Sequence, residues 1–183
     1  MALKATVYKA ELQLSDMDRH HYATHALTLA RHPSETDERL MVRVLAFALL
    51  ASDTLEFGRG LSTQDEPDLW QKDLTGAIEK WIEVGQPDEK RMLKASGRAG
   101  QVLVYAYGSN SEIWWKQISG KVARARNLCV MQVRPDDAVR LAALAQRTMQ
   151  LQCTVQDGQI WLGNGEQVVQ IELTQRKESD TGR

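Results

Sequence analysis

The stretch Ile78-Glu-Lys-Trp-Ile-Glu-Val-Gly-Gln-Pro87 decides the fold of this chain. Residues Ile78 to Val84 are spaced like a short strand, and the glycine and proline that follow are typical of a strand end. Asp88 to Arg98 is polar but favours a helix, and Val102 to Tyr107 is a nearly continuous apolar run, as expected of a strand that is covered on both faces. A strand, a helix and a buried strand in this order predict parallel pairing through a right-handed crossover.

The same alternation continues toward the C-terminus. Ser109 to Ile118 is predicted to be a short helix, Leu128 to Val133 a second buried strand, and Asp136 to Gln146 another helix. Beyond these elements, apolar and polar residues alternate around the turn sequences Asp157-Gly158 and Gly163-Asn164-Gly165, which predicts an antiparallel meander. The expected fold is therefore mixed α/β, with a partly parallel sheet flanked by helices and additional antiparallel strands at both ends of the chain.

The N-terminal part is predicted to contain one strand and two helices. Leu3 to Leu14 alternates like a strand, but the apolar phase changes near Val7, which suggests a bulge or a bend. Ser15 to Arg31 resembles a helix that starts with a capping serine. A second, well-buried helix is expected to begin at Ser34, and residues 52–75 to form a loop with short strand pieces.

Length and composition favour one globular domain. The 183 residues are expected to form a single domain over residues 1–174, followed by a flexible polar tail over residues 175–183. The net charge is −1, so any contact with nucleic acid must come from a local basic surface. No apolar segment approaches the roughly 20 residues needed to cross a membrane, and the two cysteines lie in apolar runs, so a cytoplasmic protein with buried thiols is expected.

Two acidic residues in and before the opening stretch are candidates for a site. Glu83 lies between Ile82 and Val84 in a strand that should be largely covered, where an unpaired carboxylate is costly. If it meets Asp68, which follows Pro67, the two carboxylates repel one another unless a hard divalent cation binds them. Such a cation can polarise a phosphodiester. Two simpler interpretations remain open: Glu83 on a water-facing side of its strand, and Pro67-Asp68 as an ordinary turn.

Several phrases of the sequence resemble the YaeQ family of bacterial proteins, over nearly the whole chain. These phrases are Arg31-His-Pro-Ser-Glu-Thr-Asp-Glu-Arg39, Asp65-Glu-Pro-Asp68, Trp81-Ile-Glu-Val-Gly85, Ile113-Trp-Trp115 and Asp157-Gly-Gln-Ile-Trp161. The resemblance implies a variant of the restriction-endonuclease-like, PD-(D/E)XK fold. The usual site of that fold contains an acid after a proline, a second acid two residues before a lysine, and Mg²⁺, for which Mn²⁺ can substitute.

The resemblance assigns roles to particular positions. It makes Asp68 and Glu83 the metal-binding acids, and the backbone carbonyl of Val84 the ligand between the second acid and the lysine. Gly85 stands where that lysine is expected. This departure bears directly on catalysis, because the lysine normally helps to position or activate the attacking water.

Three further residues are candidates for the same site. Gln86 is polar and adjoins the lysine position, and Lys94 lies about two turns into the following helix, from where its long side chain could reach back toward the acids. Glu38 is a candidate because related folds often add a glutamate from a helix. A glutamate near the start of a helix also stabilises that helix by interacting with its dipole, and this alone is enough to explain Glu38.

Basic and aromatic residues near the second half of the chain are candidates for nucleic-acid contact. Arg91 shares a helix face with Lys94, and Lys121 and Arg124 belong to a basic stretch that follows Trp115. Cations of this kind can bind a phosphate backbone while a tryptophan stacks on a base. A solvated helix surface and a buried tryptophan remain the simpler interpretation.

Two functions follow as expectations. The first is a metal-dependent nuclease or other phosphodiesterase that acts on DNA or RNA through Asp68 and Glu83. The second is a nuclease-fold protein that has lost catalysis and serves as a nucleic-acid-binding or protein-binding module, with a regulatory role as one form of it. Gly85 and the near-zero net charge favour the second.

Overall fold

The structure is a computed structural model that describes residues 4–60 and 65–180. These ranges form eleven strands and four helices. In chain order they are β1 (Thr6–Asp16), β2 (His21–Arg31), α1 (Asp37–Leu50), β3 (Leu55–Phe57), β4 (Leu69–Lys72), β5 (Ile78–Val84), α2 (Glu89–Arg98), β6 (Ala99–Ala106), α3 (Ser111–Ile118), β7 (Leu128–Val133), α4 (Pro135–Ala142), β8 (Thr148–Gln156), β9 (Gln159–Gly163), β10 (Val168–Ile171) and β11 (Leu173–Lys177).

The strands form two mixed sheets. The first has the order β10-β9-β8-β1-β2, and the second has the order β11-β7-β6-β5-β4-β3. Strands β5, β6 and β7 pair in parallel, with α2 and α3 as the connections between them. The predictions of a mixed α/β fold and of parallel central strands are therefore confirmed, because the buried apolar runs and intervening helices left few other arrangements.

Alternation along the second sheet gives it two apolar faces with different neighbours. Ile82 and Leu103 face the main core, which also contains α1, α4 and the inner face of the first sheet. Trp81 and Val104 face a second core formed with α2, α3 and the segment after α3. Helix α1 is buried without interruption from Leu40 to Ala48, since it lies in the main core and contacts α4, β5 and β1.

The predicted helix over Ser15 to Arg31 is wrong. Residues His21–Arg31 form β2, an edge strand that pairs antiparallel with β1 along its whole length. The capping pattern misled because Asp16 accepts a hydrogen bond from the Arg19 N–H at 3.0 Å in a hairpin turn, the same local bond that begins a helix. The bulge near Val7 is also absent from β1, whose register shows no shift; Val7 is simply exposed.

Several boundaries also differ from prediction. The cap of α1 is Thr36 rather than Ser34, because the Thr36 hydroxyl accepts the Arg39 N–H. Helix α4 ends at Ala142, four residues before the predicted end. The C-terminal segment is not a loose tail from residue 175, since β11 continues to Lys177 and pairs antiparallel with β7.

The strand β11 was missed because its residues are mostly polar. Its backbone pairs with the backbone of β7, and backbone pairing leaves no apolar pattern in the sequence. Residues 181–183 of the predicted tail, and residues 61–64 of the predicted loop, lie outside the described residues. The C-terminal meander is confirmed as β8, β9 and β10, which pair antiparallel in sequence order. Within the described ranges, no helix combines the length and apolarity that a membrane span requires.

Candidate acidic site

Asp68 and Glu83 lie on neighbouring strands of the second sheet. Asp68 immediately precedes β4, and its N–H donates to the carbonyl of Ile82 at 3.1 Å. Glu83 is the next residue of β5, which pairs antiparallel with β4. The Asp68 carboxylate then accepts the N–H of Val84 at 2.7 Å. Both acids are buried, at 6% and 4% exposure, so the sheet brings together the two carboxylates that the sequence singled out.

The Glu83 carboxylate has two donors of different kinds. The indole N–H of Trp81 lies 2.8 Å from Oε1, and Nε of Arg91 lies 2.6 Å from the same oxygen. The pKa of Glu83 is raised to about 6, first because the carboxyl is buried and second because of the negative charge of Asp68, while Arg91 and Trp81 oppose the shift. The neutral form of the Glu83 carboxyl is therefore favoured mainly because the group is removed from water, and further because Asp68 lies nearby.

Glu83→Gln is expected to remove a pH-dependent part of stability. A carboxyl whose pKa is raised by folding contributes stability below its unfolded value of 4.5, and this is lost as the pH rises through about 6. The loss amounts to about 2 kcal/mol in the wild-type protein. Urea unfolding at pH 4 to 8 measures the free energy of unfolding of both proteins. As the pH rises, the variant should become more stable relative to the wild type by about this amount. A difference that stays flat across this range would contradict the assignment.

Asp68 is neutralised by a residue that sequence reasoning did not single out. Nη2 of Arg39 lies 2.6 Å from Oδ1 of Asp68 and 3.4 Å from the carbonyl oxygen of Val84. Nη1 of the same guanidinium donates to Oε1 of Glu35 at 3.0 Å. Glu35 also accepts two bonds of 2.8 Å from Arg43, and both of these side chains are 1% exposed.

We call these side chains the acid–arginine cluster. It comprises Glu35, Asp68, Glu83, Arg39, Arg43 and Arg91. A signal for half of it was present in the sequence, because Glu35, Arg39 and Arg43 follow one another at intervals of four around the start of α1. That spacing places opposite charges on one helix face, but it cannot show that the face points at Asp68.

The cluster as arranged does not fit the Mg²⁺ implied by the resemblance. Both oxygens of Asp68 are engaged, one by Arg39 and one by the backbone of Val84. The Val84 carbonyl, the expected backbone ligand, also faces Arg39. Three carboxylates are balanced by three guanidiniums, and no group of three or more histidine, cysteine or acidic side chains suited to a metal occurs among residues 4–60 and 65–180.

Position 85 has a backbone conformation that favours glycine. Gly85 has a φ of +109° and donates its N–H to the carbonyl of Tyr105. A lysine with this backbone conformation would be strained, because its Cβ disfavours positive φ. The strand therefore ends in a turn that glycine makes possible.

The three further candidates are not brought to the acids. Gln86 donates to the carbonyl of Tyr107 at 3.0 Å and to Asn110 at 2.7 Å. Lys94 is exposed and its Nζ lies 3.4 Å from Oδ1 of Asp65. Glu38 lies in the first turn of α1, half-buried. The glutamate that does reach the site, Glu35, stands three residues earlier and just before the helix.

The candidates for nucleic-acid contact divide between the cluster and the surface. Arg91 belongs to the cluster and also donates to the carbonyl of Glu66 at 2.8 Å. Lys121 and Arg124 are exposed, and Lys121 lies 3.5 Å from Glu89. Trp115 is half-buried with its ring centroid 6.1 Å from that of Trp114.

These surface cations belong to a segment that is rich in basic residues. Residues 88–127 contain eight lysine and arginine residues against three acidic residues, a net charge of +5 in a chain whose total is −1. We call the exposed cations of this segment the α2–α3 basic face. Its members are Lys90, Lys94, Arg98, Lys116, Lys121, Arg124 and Arg126. Side-chain hydrogen bonds join α2 to the α3 segment. Asn127 donates to the carbonyls of Ser96 and Ala99, and Trp114 donates to the carbonyl of Pro87.

Comparison with known proteins gives one consistent result. The family model described as YaeQ protein matches residues 1–173. The YaeQ protein of Salmonella typhi is 47% identical over 95% of this chain and 97% of its own length, and that of Escherichia coli K12 is 44% identical over the same shares. The crystal structure of YaeQ from Xanthomonas axonopodis pv. citri has a TM-score of 0.91 and 51% identity, and covers 94% of this chain and 98% of that one.

A second solved structure extends the likeness to a more distant sequence. YaeQ from Pseudomonas syringae is only 36% identical, yet it has a TM-score of 0.91 and covers 96% of this chain and 98% of that one. The same fold is therefore shared by sequences that differ at about half or more of their positions. With the family model, the curated relatives and both crystal structures in agreement, this chain belongs to the YaeQ protein family.

Proposed function

We propose that this chain is a restriction-endonuclease-like, PD-(D/E)XK protein that binds nucleic acid through its α2–α3 basic face and does not cleave it. The observation that carries the proposal is the separation of charge. The segment 88–127 has a net charge of +5, and the remainder of the chain carries the compensating negative charge. A local excess of positive charge attracts polyanions even when the whole protein is nearly neutral.

The fold half of the proposal is supported by the position of the acid pair. Asp68 follows Pro67, and Glu83 lies near the end of the adjacent strand, an arrangement that agrees with the two acids expected of this superfamily. The sheet that carries them is mixed and is flanked by helices. The glycine at position 85 and the arginines around the acids support the absence of cleavage.

Exposed cations without acidic partners favour phosphate as their ligand. Among the described side chains, no ion pair involves Lys90, Lys116 or Arg124. Each phosphate neutralised by such a residue releases counterions, which makes binding tighter at low salt. Trp115 lies next to Lys116 on α3 and is half-buried, so its ring is a candidate for stacking on an unpaired base.

Neutralising three cations of this face is expected to weaken binding. In the variant Lys90→Ala/Lys121→Ala/Arg124→Ala, affinity for a fluorescein-labelled 30-nucleotide DNA or RNA should fall at least about tenfold at low salt. The slope of log affinity against log salt should become shallower by about two to three, because three phosphate contacts are lost. Fluorescence anisotropy over a salt series, with single strands and duplexes, measures both.

The matched control removes the same number of cations elsewhere. Lys9 in β1, Lys4 just before β1 and Arg147 just before β8 are exposed and belong to the first-sheet side of the chain. The triple alanine variant of these residues should bind like the wild type. Wild-type protein that binds none of the probes, or binds them without salt dependence, would contradict the nucleic-acid proposal.

Metal-dependent phosphodiester cleavage is the second candidate. The observation that favours it is the raised pKa of Glu83, because strongly shifted carboxyls cluster at catalytic sites. The same labelled strands, incubated with Mg²⁺ or Mn²⁺ and resolved on a denaturing gel, test it. Cleavage that disappears in both Asp68→Ala and Glu83→Ala would establish this candidate and reject the non-cleaving proposal.

A further inference from the structure

Arg39 lies among oxygens that come from three separate parts of the chain. Its guanidinium nitrogens are 3.0 Å from Oε1 of Glu35, 2.6 Å from Oδ1 of Asp68 and 3.4 Å from the carbonyl oxygen of Val84. Glu35 precedes α1, Asp68 precedes β4, and Val84 ends β5. Two carboxylate oxygens and a backbone carbonyl around one positive group are the ligand types that a hard divalent cation selects.

The charges of the acid–arginine cluster balance without a metal. Glu35, Asp68 and Glu83 are all buried, with exposures of 3%, 6% and 4%, and three arginines bond to them. A divalent cation added to this arrangement would leave two positive charges uncompensated where little water can screen them. Such a charge is costly to desolvate, so binding would require the displacement of an arginine.

We propose that Arg39 takes the place of a divalent cation in this protein, so that the acid–arginine cluster is a complete ion cluster that binds no divalent metal while Arg39 is present. The inference does not depend on nucleic-acid binding. It concerns what occupies the acid pair, whatever ligand the α2–α3 basic face takes.

The neighbours of Arg39 are fixed by contacts that do not involve it. Glu35 keeps both bonds to Arg43, and Asp68 keeps the Val84 N–H. Shortening the Arg39 side chain therefore leaves oxygens in place around a space that has lost one positive charge. The Arg39 side chain is 15% exposed, which gives a small cation a route from solvent. In Arg39→Ala the oxygens become a site for a hard cation such as Mn²⁺.

The test uses Mn²⁺ alone with the full chain and no nucleic acid. Electron paramagnetic resonance should show that wild-type protein leaves the free Mn²⁺ signal unchanged, whereas Arg39→Ala reduces it by one equivalent. The Tm of Arg39→Ala should rise by about 5 °C or more when Mn²⁺ exceeds its Kd a hundredfold, and the wild-type Tm should not move. A variant that folds only in the presence of Mn²⁺ supports the proposal in the same way.

The double variant Arg39→Ala/Asp68→Asn is the matched control, since it lacks both the guanidinium and one carboxylate charge. It should show neither Mn²⁺ binding nor a rise in Tm. Mn²⁺ binding by the wild type that is lost in Asp68→Asn would overturn the proposal. An Arg39→Ala protein that binds Mn²⁺ no better than the double variant would also overturn it. A third contrary result would be that Arg39→Ala and Arg39→Gln both stay unfolded at every Mn²⁺ concentration. If the Arg39 proposal fails, the proposed salt-dependent binding of nucleic acid is unaffected. If nucleic-acid binding is not found, the Arg39 proposal is likewise unaffected.

Discussion

Replacing Glu35 with alanine is expected to lower the free energy of unfolding by about 3–5 kcal/mol. The carboxylate accepts two bonds from Arg43, which is 1% exposed, and one from Arg39. Its removal leaves the Arg43 guanidinium buried with a single bond to the carbonyl of Ala30. An uncompensated buried charge of this kind is among the largest effects a point mutation produces. Thermal unfolding should shift downward by about 6–20 °C.

The control for this prediction is Glu38→Ala, which removes an acid three residues further along. Glu38 is half-buried in the first turn of α1, where it contributes through the helix dipole. Its loss should cost less than about 1 kcal/mol. Equal destabilisation by the two substitutions, measured by urea unfolding, would show that burial of the Glu35–Arg43 pair does not set the stability.

Asp68→Ala is expected to destabilise the protein by about 3 kcal/mol. It removes the 2.6 Å ion pair to Arg39 and leaves the buried N–H of Val84 without its acceptor. Since Val84 adjoins Gly85 at the end of β5, the same loss should loosen the strand end that carries Glu83. Amide hydrogen exchange at Val84 is therefore expected to accelerate more than exchange in β7.

Asp65→Ala is the matched control, because it removes an acid from the same Asp65-Glu-Pro-Asp68 segment. Asp65 is 81% exposed and meets only Lys94, at 3.4 Å. Exposed pairs of this kind contribute about 0–1 kcal/mol. If Asp68→Ala lowers the free energy of unfolding no more than Asp65→Ala does, the Asp68 carboxylate is not part of a buried ion cluster.

The central elements could be predicted because their signals are local. Strands β5 and β7 have the residue bounds that apolar runs and flanking glycine or proline indicated. Helix α2 covers Glu89–Arg98, within one residue of the predicted segment, and the Asp88 carboxylate that caps it accepts the Arg91 N–H. The prediction failed at His21–Arg31, where alternating threonines and alanines suit a strand as well as a helix and only the pairing with β1 decides. Strand β11 was missed for the related reason that its residues pair with residues of β7 at least 40 positions away in sequence.

Asp68 and Glu83 illustrate what the sequence determines and what only the tertiary structure decides. The sequence alone singled out Glu83 as an acid within an apolar strand, Asp68 as an acid that follows a proline, and Gly85 as the residue after that strand. Only the tertiary structure decided what neutralises those acids. Arg39 is 29 residues from Asp68 and 45 from Val84, and no local pattern encodes a contact across that separation. The physical reason is that a buried carboxylate must be compensated, but a metal, a proton or a guanidinium can each do so, and the packing of α1 against the second sheet places a guanidinium there.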